Sequence, residues 1–140
     1  MITVVDSNII VALWDRDDAL NAAAQSALDS ALDRGSLVVP ASVFAELMAL
    51  PGRTESFLDA FFQDTDVVVD WALDERVWRV AGRAFQSYAG RRRKQRAPGP
   101  RRILADFLIG GYAASNGYPL LTLDEGLYRA GFPELKILRV

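Results

Sequence analysis

The stretch ITVVDSNII, residues 2–10, joins a short β-branched run to an aspartate and then to a second apolar run. Ile2–Val5 reads as a strand buried on both faces, the kind found in parallel sheets sheathed by helices. Ser7–Trp14 reads as the short helix that follows it. Asp6 stands at the join with apolar residues on either side, where a carboxylate is costly unless it is paired or set beside a cation.

The same situation recurs three times: Glu46 lies in VFAELMAL (43–50), Asp106 in ILADFLIGG (103–111) and Asp124 in PLLTLDEGL (119–127). The chain has no His and no Cys. Thiol nucleophiles, zinc-thiolate sites, disulfide frameworks and histidine general bases are thereby excluded. Four acids in four apolar elements point instead to an all-oxygen site for a hard divalent cation, Mg²⁺ or Mn²⁺, with one or two ions bound.

Outward from Asp6, strands and helices alternate. Further strands are predicted at Leu37–Val39, Asp66–Val69, Leu120–Thr122 and Leu135–Val140. Asp18–Arg34 reads as an amphipathic helix ended by Gly35, and Ser42–Leu50 as a helix broken by Pro51-Gly52. Glu55–Gln63 follows with Thr54 as its cap, a long helix starts near Leu73, and Arg101–Ser115 and Glu125–Arg129 complete the set. This pattern predicts an α/β fold, a three-layer α/β/α sandwich on a parallel sheet. In such sheets ligands bind beyond the carboxyl ends of the strands, where the strand order reverses. Asp6 and Asp124 belong on that edge, and the helices carrying Glu46 and Asp106 start or end near it. Gly110, on the same helical stripe as Asp106, is expected to leave room for metal or substrate.

Each acid also has a local reading. Asp6 and Asp124 would cap the helices they precede, Glu46 would pair with Arg53, and Asp106 with Arg102 one turn away. Four such unrelated coincidences on one sheet edge are a weaker account than one shared site.

With 140 residues the chain is expected to form a single domain, 1–140. Its net charge of −2 is unevenly spread, because seven of the 16 Lys and Arg residues fall between Arg91 and Arg102. This basic arm, at about 90–102, is the candidate contact for RNA backbone through Arg91, Arg92, Arg93, Lys94, Arg96, Arg101 and Arg102. Arg101 and Arg102 at a helix N-terminus oppose the macrodipole, a mismatch a phosphate would relieve. No signal peptide is read at the N-terminus, and the absence of cysteine fits a reducing cytoplasm. The apolar run from Ile103 to Leu123 is broken by Asp106, Asn116, Gly117 and Pro119, so it reads as a buried helix and strand with no membrane span.

VVDSNII, PASVFAELMA, ILADFLIGGYA and LLTLDEGLY, in this order and spacing, resemble the PIN-domain ribonucleases, and specifically the VapC-type toxins of bacterial toxin–antitoxin pairs. The resemblance spans essentially the whole chain. It implies strand order 3-2-1-4-5 and a metal-dependent endoribonuclease whose four acids fall on Asp6, Glu46, Asp106 and Asp124. Asp6, Asp106 and Asp124 would be metal ligands, direct or through water, and Glu46 would orient the attacking water. Ser7, Asn8 and Thr122 would orient the carboxylates. The resemblance further implies products bearing a 5′-phosphate, a homodimer and a small VapB-like antitoxin covering the site. Gly110-Gly111 depart from the alanines usual after the third acid. A non-catalytic PIN-like RNA-binding or scaffold protein is the main alternative, but such a protein would be expected to lack one or more acids. A receiver-type phosphoacceptor would want a second acid at Ser7, and an Asp-x-Asp phosphatase would want Asp where Asn8 stands.

Overall fold

The structure, a computed structural model, describes residues 1–95 and 102–140. Ile2–Val5 forms β1. Its Val4 and Val5 point to opposite faces of the sheet and both are wholly buried, so both faces are covered. β1 pairs with β2 (Ser36–Pro40) on one side and β4 (Leu120–Leu121) on the other, with β3 (Val67–Asp70) beyond β2 and β5 (Ile137–Leu138) beyond β4. All four pairings are parallel and the order is β3-β2-β1-β4-β5. The chain therefore lays down β1, β2 and β3 in one direction, then crosses back to place β4 and β5 on the far side of β1. Its switch point lies between β1 and β4, at the edge where Asp6 leaves the sheet.

The helices are α1 (Ser7–Trp14), α2 (Asn21–Arg34), α3 (Ala41–Met48), α4 (Glu55–Thr65), α5 (Glu75–Gln95), α6 (Leu104–Asn116) and α7 (Glu125–Gly131). α2 starts three residues later than its pattern predicts. The Asp18 carboxylate accepts the Leu20 N–H at 2.8 Å, holding the segment in a local turn. Asn21 then closes α1 by donating to the carbonyls of Ala12 and Leu13 at 2.9 and 3.0 Å. Gly35 passes the chain from α2 into β2 directly beside Met1. A Cβ there would lie 1.9 Å from the Met1 carbonyl oxygen, so only glycine fits.

α6 begins at Leu104 and not at Arg101, and it ends on Gly117 in the left-handed conformation, φ 68°. Its residues Phe107–Ala113 are all buried. Tyr112 ties it to the end of β3 by donating to Asp70 at 2.7 Å. The two glycines are packing residues. A Cβ at Gly111 would sit 3.0 Å from the Ala81 Cβ, so glycine lets α5 and α6 approach closely. A Cβ at Gly110 would fall 2.2 Å from the Phe132 ring, so the space expected for metal or substrate is filled by Phe132. Gly110→Ala is therefore expected to destabilise by about 1–3 kcal/mol despite alanine's better helix propensity. Denaturant melts check this, and Gly110→Ala with Phe132→Leu should recover part of the loss.

Among the described residues, no helix is long and apolar enough to cross a membrane.

Candidate active site

β1 delivers Asp6 to the switch point with its side chain 3% exposed. Asp6 is the N-cap of α1, but its carboxylate does not cap; the backbone carbonyl accepts the Ile9 N–H at 3.1 Å instead. The carboxylate is left to face the site. Its Oδ2 accepts from the Thr122 hydroxyl at 2.7 Å and its Oδ1 from the Ser7 hydroxyl at 3.3 Å. Thr122 Oγ1 in turn accepts from Asn8 Nδ2 at 3.4 Å and from the Asp124 N–H at 2.9 Å. Asn8 Oδ1 accepts the Leu123 N–H at 3.2 Å. Asp6, Ser7, Asn8, Thr122 and the backbone at Asp124 thus form one network across the β1–β4 seam. Thr122 uses its single proton and both lone pairs in it.

Glu46 on α3 and Asp106 on α6 are half-buried and share an electrostatic field with Asp6. Arg53, the alternative partner for Glu46, lies over the Trp14 and Phe57 rings at 4.7 and 4.6 Å. Glu46 Oε1 is buried with no hydrogen-bond partner. Asp106 Oδ2 accepts the Ile103 N–H at 3.4 Å across the first turn of α6. All three carboxyls have pKa values raised from the ordinary range, each chiefly by burial. The charge of Asp106 adds to the rise at Asp6 and Glu46, and that of Asp124 to the rise at Asp106. Thr122 opposes the rise at Asp6, Ser7 that at Glu46, and the Ile103 N–H that at Asp106. Three neighbouring carboxyls, all with raised proton affinity, want either protons or a cation.

Asp124 has a different setting. Its Oδ1 accepts the Leu127 N–H at 3.4 Å, capping α7, and its Oδ2 takes Arg102 Nη1 at 2.6 Å. The capping reading of Asp124 is thus realised alongside its place on the sheet edge. The expected partner of Arg102 on its own helix, Asp106, loses out to an acid 22 residues away. Arg102 also lies one residue before the N-cap Ile103, so its charge is met by Asp124 and not left against the helix dipole.

Arg91, Arg92, Arg93 and Lys94 form the last turns of α5, where cations suit the negative end of the helix dipole. Half of the expected arm is therefore helix. Arg96 and Arg101 lie outside the described residues. Two tyrosines escaped the sequence reading. Tyr128 is wholly buried, and its hydroxyl faces Asp6 without meeting hydrogen-bond geometry. Its pKa is raised, first by burial and then by the charges of Asp6 and Asp106. It stands four residues after Asp124, the one signal that could have marked it. Tyr88 accepts the Arg102 N–H at 2.8 Å and Arg92 Nη1 at 3.5 Å, linking α5 to the start of α6.

Among the described residues, no three acids are already drawn to metal-ligating spacing. Asp124 pairs instead with Arg102, and Asp106 accepts the Ile103 N–H. The donor set nevertheless fits a hard cation. It is all oxygen, and it holds a buried carboxylate oxygen on Glu46 with nothing to bind.

Solved structures share this architecture. VapBC2 from Rickettsia felis, bound to a DNA fragment from its promoter, aligns with TM-score 0.70 at 17% identity over 100% of this chain and 99% of that one. VapBC-1 from nontypeable Haemophilus influenzae aligns with TM-score 0.68 at 20% identity over 99% and 98%. FitAcB from Neisseria gonorrhoeae gives 0.64 at 21% identity over 99% and 96%. At these identities the likeness is one of fold. No curated protein matches the chain in sequence. The PIN domain family matches residues 3–133, a span that takes in β1 through α7 and all four acids, and the chain belongs to that family.

Proposed function

We propose that this protein is a divalent-cation-dependent endoribonuclease acting as the toxin of a VapBC-type pair. The observation that carries the reading is the trio of carboxyls at the switch point, Asp6 buried and Glu46 and Asp106 half-buried, all with pKa values raised chiefly by burial. Asp6 and Asp106 would hold one or two Mg²⁺ or Mn²⁺ ions, with Asp124 reaching them directly or through water. A bound cation would supply charge stabilisation at the phosphate and a lowered water pKa. Thr122, Ser7 and Asn8 hold the Asp6 carboxylate in one orientation. Glu46, whose Oε1 has no hydrogen-bond partner, would orient the attacking water. Tyr128 keeps its proton under the acids and excludes water from beneath them.

The basic turns Arg91–Lys94 attract RNA without regard to its sequence. A VapB-like antitoxin partner is proposed from the likeness to the VapBC structures, and a homodimer from the resemblance to the toxin family alone.

Incubating the purified protein with total RNA in Mg²⁺, with and without EDTA, and mapping fragment ends tests the reading. Cleavage that EDTA stops, leaving 5′-phosphates, supports it; intact RNA in Mn²⁺ as well as Mg²⁺ sinks it. Thr122→Val should keep the fold and weaken cation affinity or activity by about 10–100-fold, since it removes the donor that orients Asp6. Titrating Mg²⁺ against rate separates the two effects.

A further inference from the structure

Beside Asp124, the last turns of α5, the start of α6 and one face of α7 enclose a cleft of about 240 Å³. Arg91, Arg92, Gln95 and Arg102 line it together with Tyr88, and among the described residues none that line it is acidic. A concentration of guanidinium groups in a concave site on an otherwise acidic chain suits an anion. Tyr88 contributes a hydroxyl to this lining. Its oxygen accepts from the Arg102 N–H and from Arg92 Nη1, which leaves its own O–H free to donate. The bond from the Arg102 backbone N–H lowers its pKa, and the charges of Arg92 and Arg102 add to this. Arg102 is held from behind, its Nη1 on Asp124, with the side chain still 37% exposed and further N–H groups on its fork to offer.

We propose that this cleft is a phosphate subsite for single-stranded RNA. Rigid guanidinium forks on Arg91, Arg92 and Arg102, with the Tyr88 hydroxyl, grip a phosphodiester next to the one cut at the acids. The proposal rests on the nuclease reading above and adds a specified place where the strand is held. Asp124 acquires a second task in it: its ion pair aims Arg102 and so links the subsite to the acidic centre. Arg102 and Tyr88 contact the RNA directly on this account, and Asp124 is the residue that positions Arg102.

The ligand follows from the geometry. Bidentate guanidinium recognition fits phosphate oxygens, and three such forks about one hydroxyl suit a single phosphodiester with its neighbours. An acidic peptide presents carboxylates of similar chemistry, so it is the alternative occupant for the test to decide.

The test measures anisotropy of a short fluorescein-labelled oligouridylate in EDTA, where no cleavage occurs, across a salt series. Arg91→Gln with Arg92→Gln changes only helix-terminal side chains and should preserve the melting temperature. It is expected to weaken binding at least roughly tenfold and to reduce the slope of log K against log salt by about 1 to 1.5, at about 0.7 per phosphate contact. Tyr88→Phe, which keeps the ring, should weaken binding severalfold. Arg102→Lys should do so too, because an ammonium cannot span Asp124 and a phosphate at once. An unchanged affinity and slope in the double variant overturns the subsite, as does a polyglutamate peptide of equal charge that binds as well with the same arginine dependence. Asp106→Asn separates this failure from failure of the nuclease reading. Cleavage lost in Asp106→Asn with RNA binding unaltered by Arg91→Gln/Arg92→Gln removes the subsite alone. Cleavage retained in Asp106→Asn removes the nuclease reading and with it the subsite's stated role.

Discussion

Asp106→Asn is expected to lower RNA cleavage by at least about 10³-fold, the equivalent of several kcal/mol of charge stabilisation that a correctly held cation supplies. The same change should leave the cation-free fold as stable as the parent or more so. Asparagine keeps an oxygen to accept the Ile103 N–H and is close in volume, while it removes a carboxylate whose pKa is raised by burial and by the charge of Asp124. The pH dependence follows from the same shifts. Asp6, Glu46 and Asp106 bind protons more tightly in the folded state than in the unfolded chain. Their contribution to stability is therefore full below the ordinary carboxylate range and is lost as pH rises through their raised values. In EDTA the melting temperature of the parent should rise as pH is lowered from about 8 toward 5, and Asp106→Asn should flatten that rise. A large fall in the melting temperature of Asp106→Asn would instead mark Asp106 as a structural ion-pair member.

Adding Mg²⁺ or Mn²⁺ is expected to raise the melting temperature of the parent protein substantially. A ligand present at a hundred times its Kd and bound only by the folded state stabilises by about 2.7 kcal/mol. For a chain of this size that amounts to a shift on the order of 10 °C. The cation replaces the protons that the three carboxyls otherwise want, so the shift should shrink as pH falls and these groups become protonated. It should vanish in Asp106→Asn and in Asp6→Asn. Sodium chloride at matched ionic strength provides the control, since general screening acts on the whole acidic surface and not on these positions alone.

Much of this was legible in the chain because the deciding signals are local. ITVV and SLVVP carry consecutive apolar residues too short for helices, and both are strands with their interior positions buried. Thr54 caps α4 as its position suggests, accepting the Phe57 N–H at 3.1 Å. The acids announced themselves by sitting within apolar stretches of the sequence. What the chain concealed depends on contacts between distant residues. Gly110 looks like an opening beside an acid until Phe132, 22 positions on, is found filling it. Arg102 has an acid four positions on, at Asp106, yet its guanidinium reaches Asp124 across the fold. Tyr88 reads as part of an apolar stripe, and its ring does stack with Phe85, but its hydroxyl bonds to the chain at Arg102. The predicted start of α2 failed for a smaller reason, an aspartate turn at Asp18 that competes with the helix. The last strand was drawn too long, since Leu135 donates to the Phe132 carbonyl in a turn and only Ile137–Leu138 pairs with β4.

The central claim is that acids from four separate stretches of chain converge on a divalent cation at the β1–β4 switch point. A crystal of the protein grown or soaked with Mn²⁺, examined by anomalous scattering, tests it directly. The expected result is a peak at about 2 Å from carboxylate oxygens of Asp6 and Asp106, with Glu46 and Asp124 within reach of the waters around it. No peak at that edge, or one held only by acids elsewhere on the surface, would contradict the account.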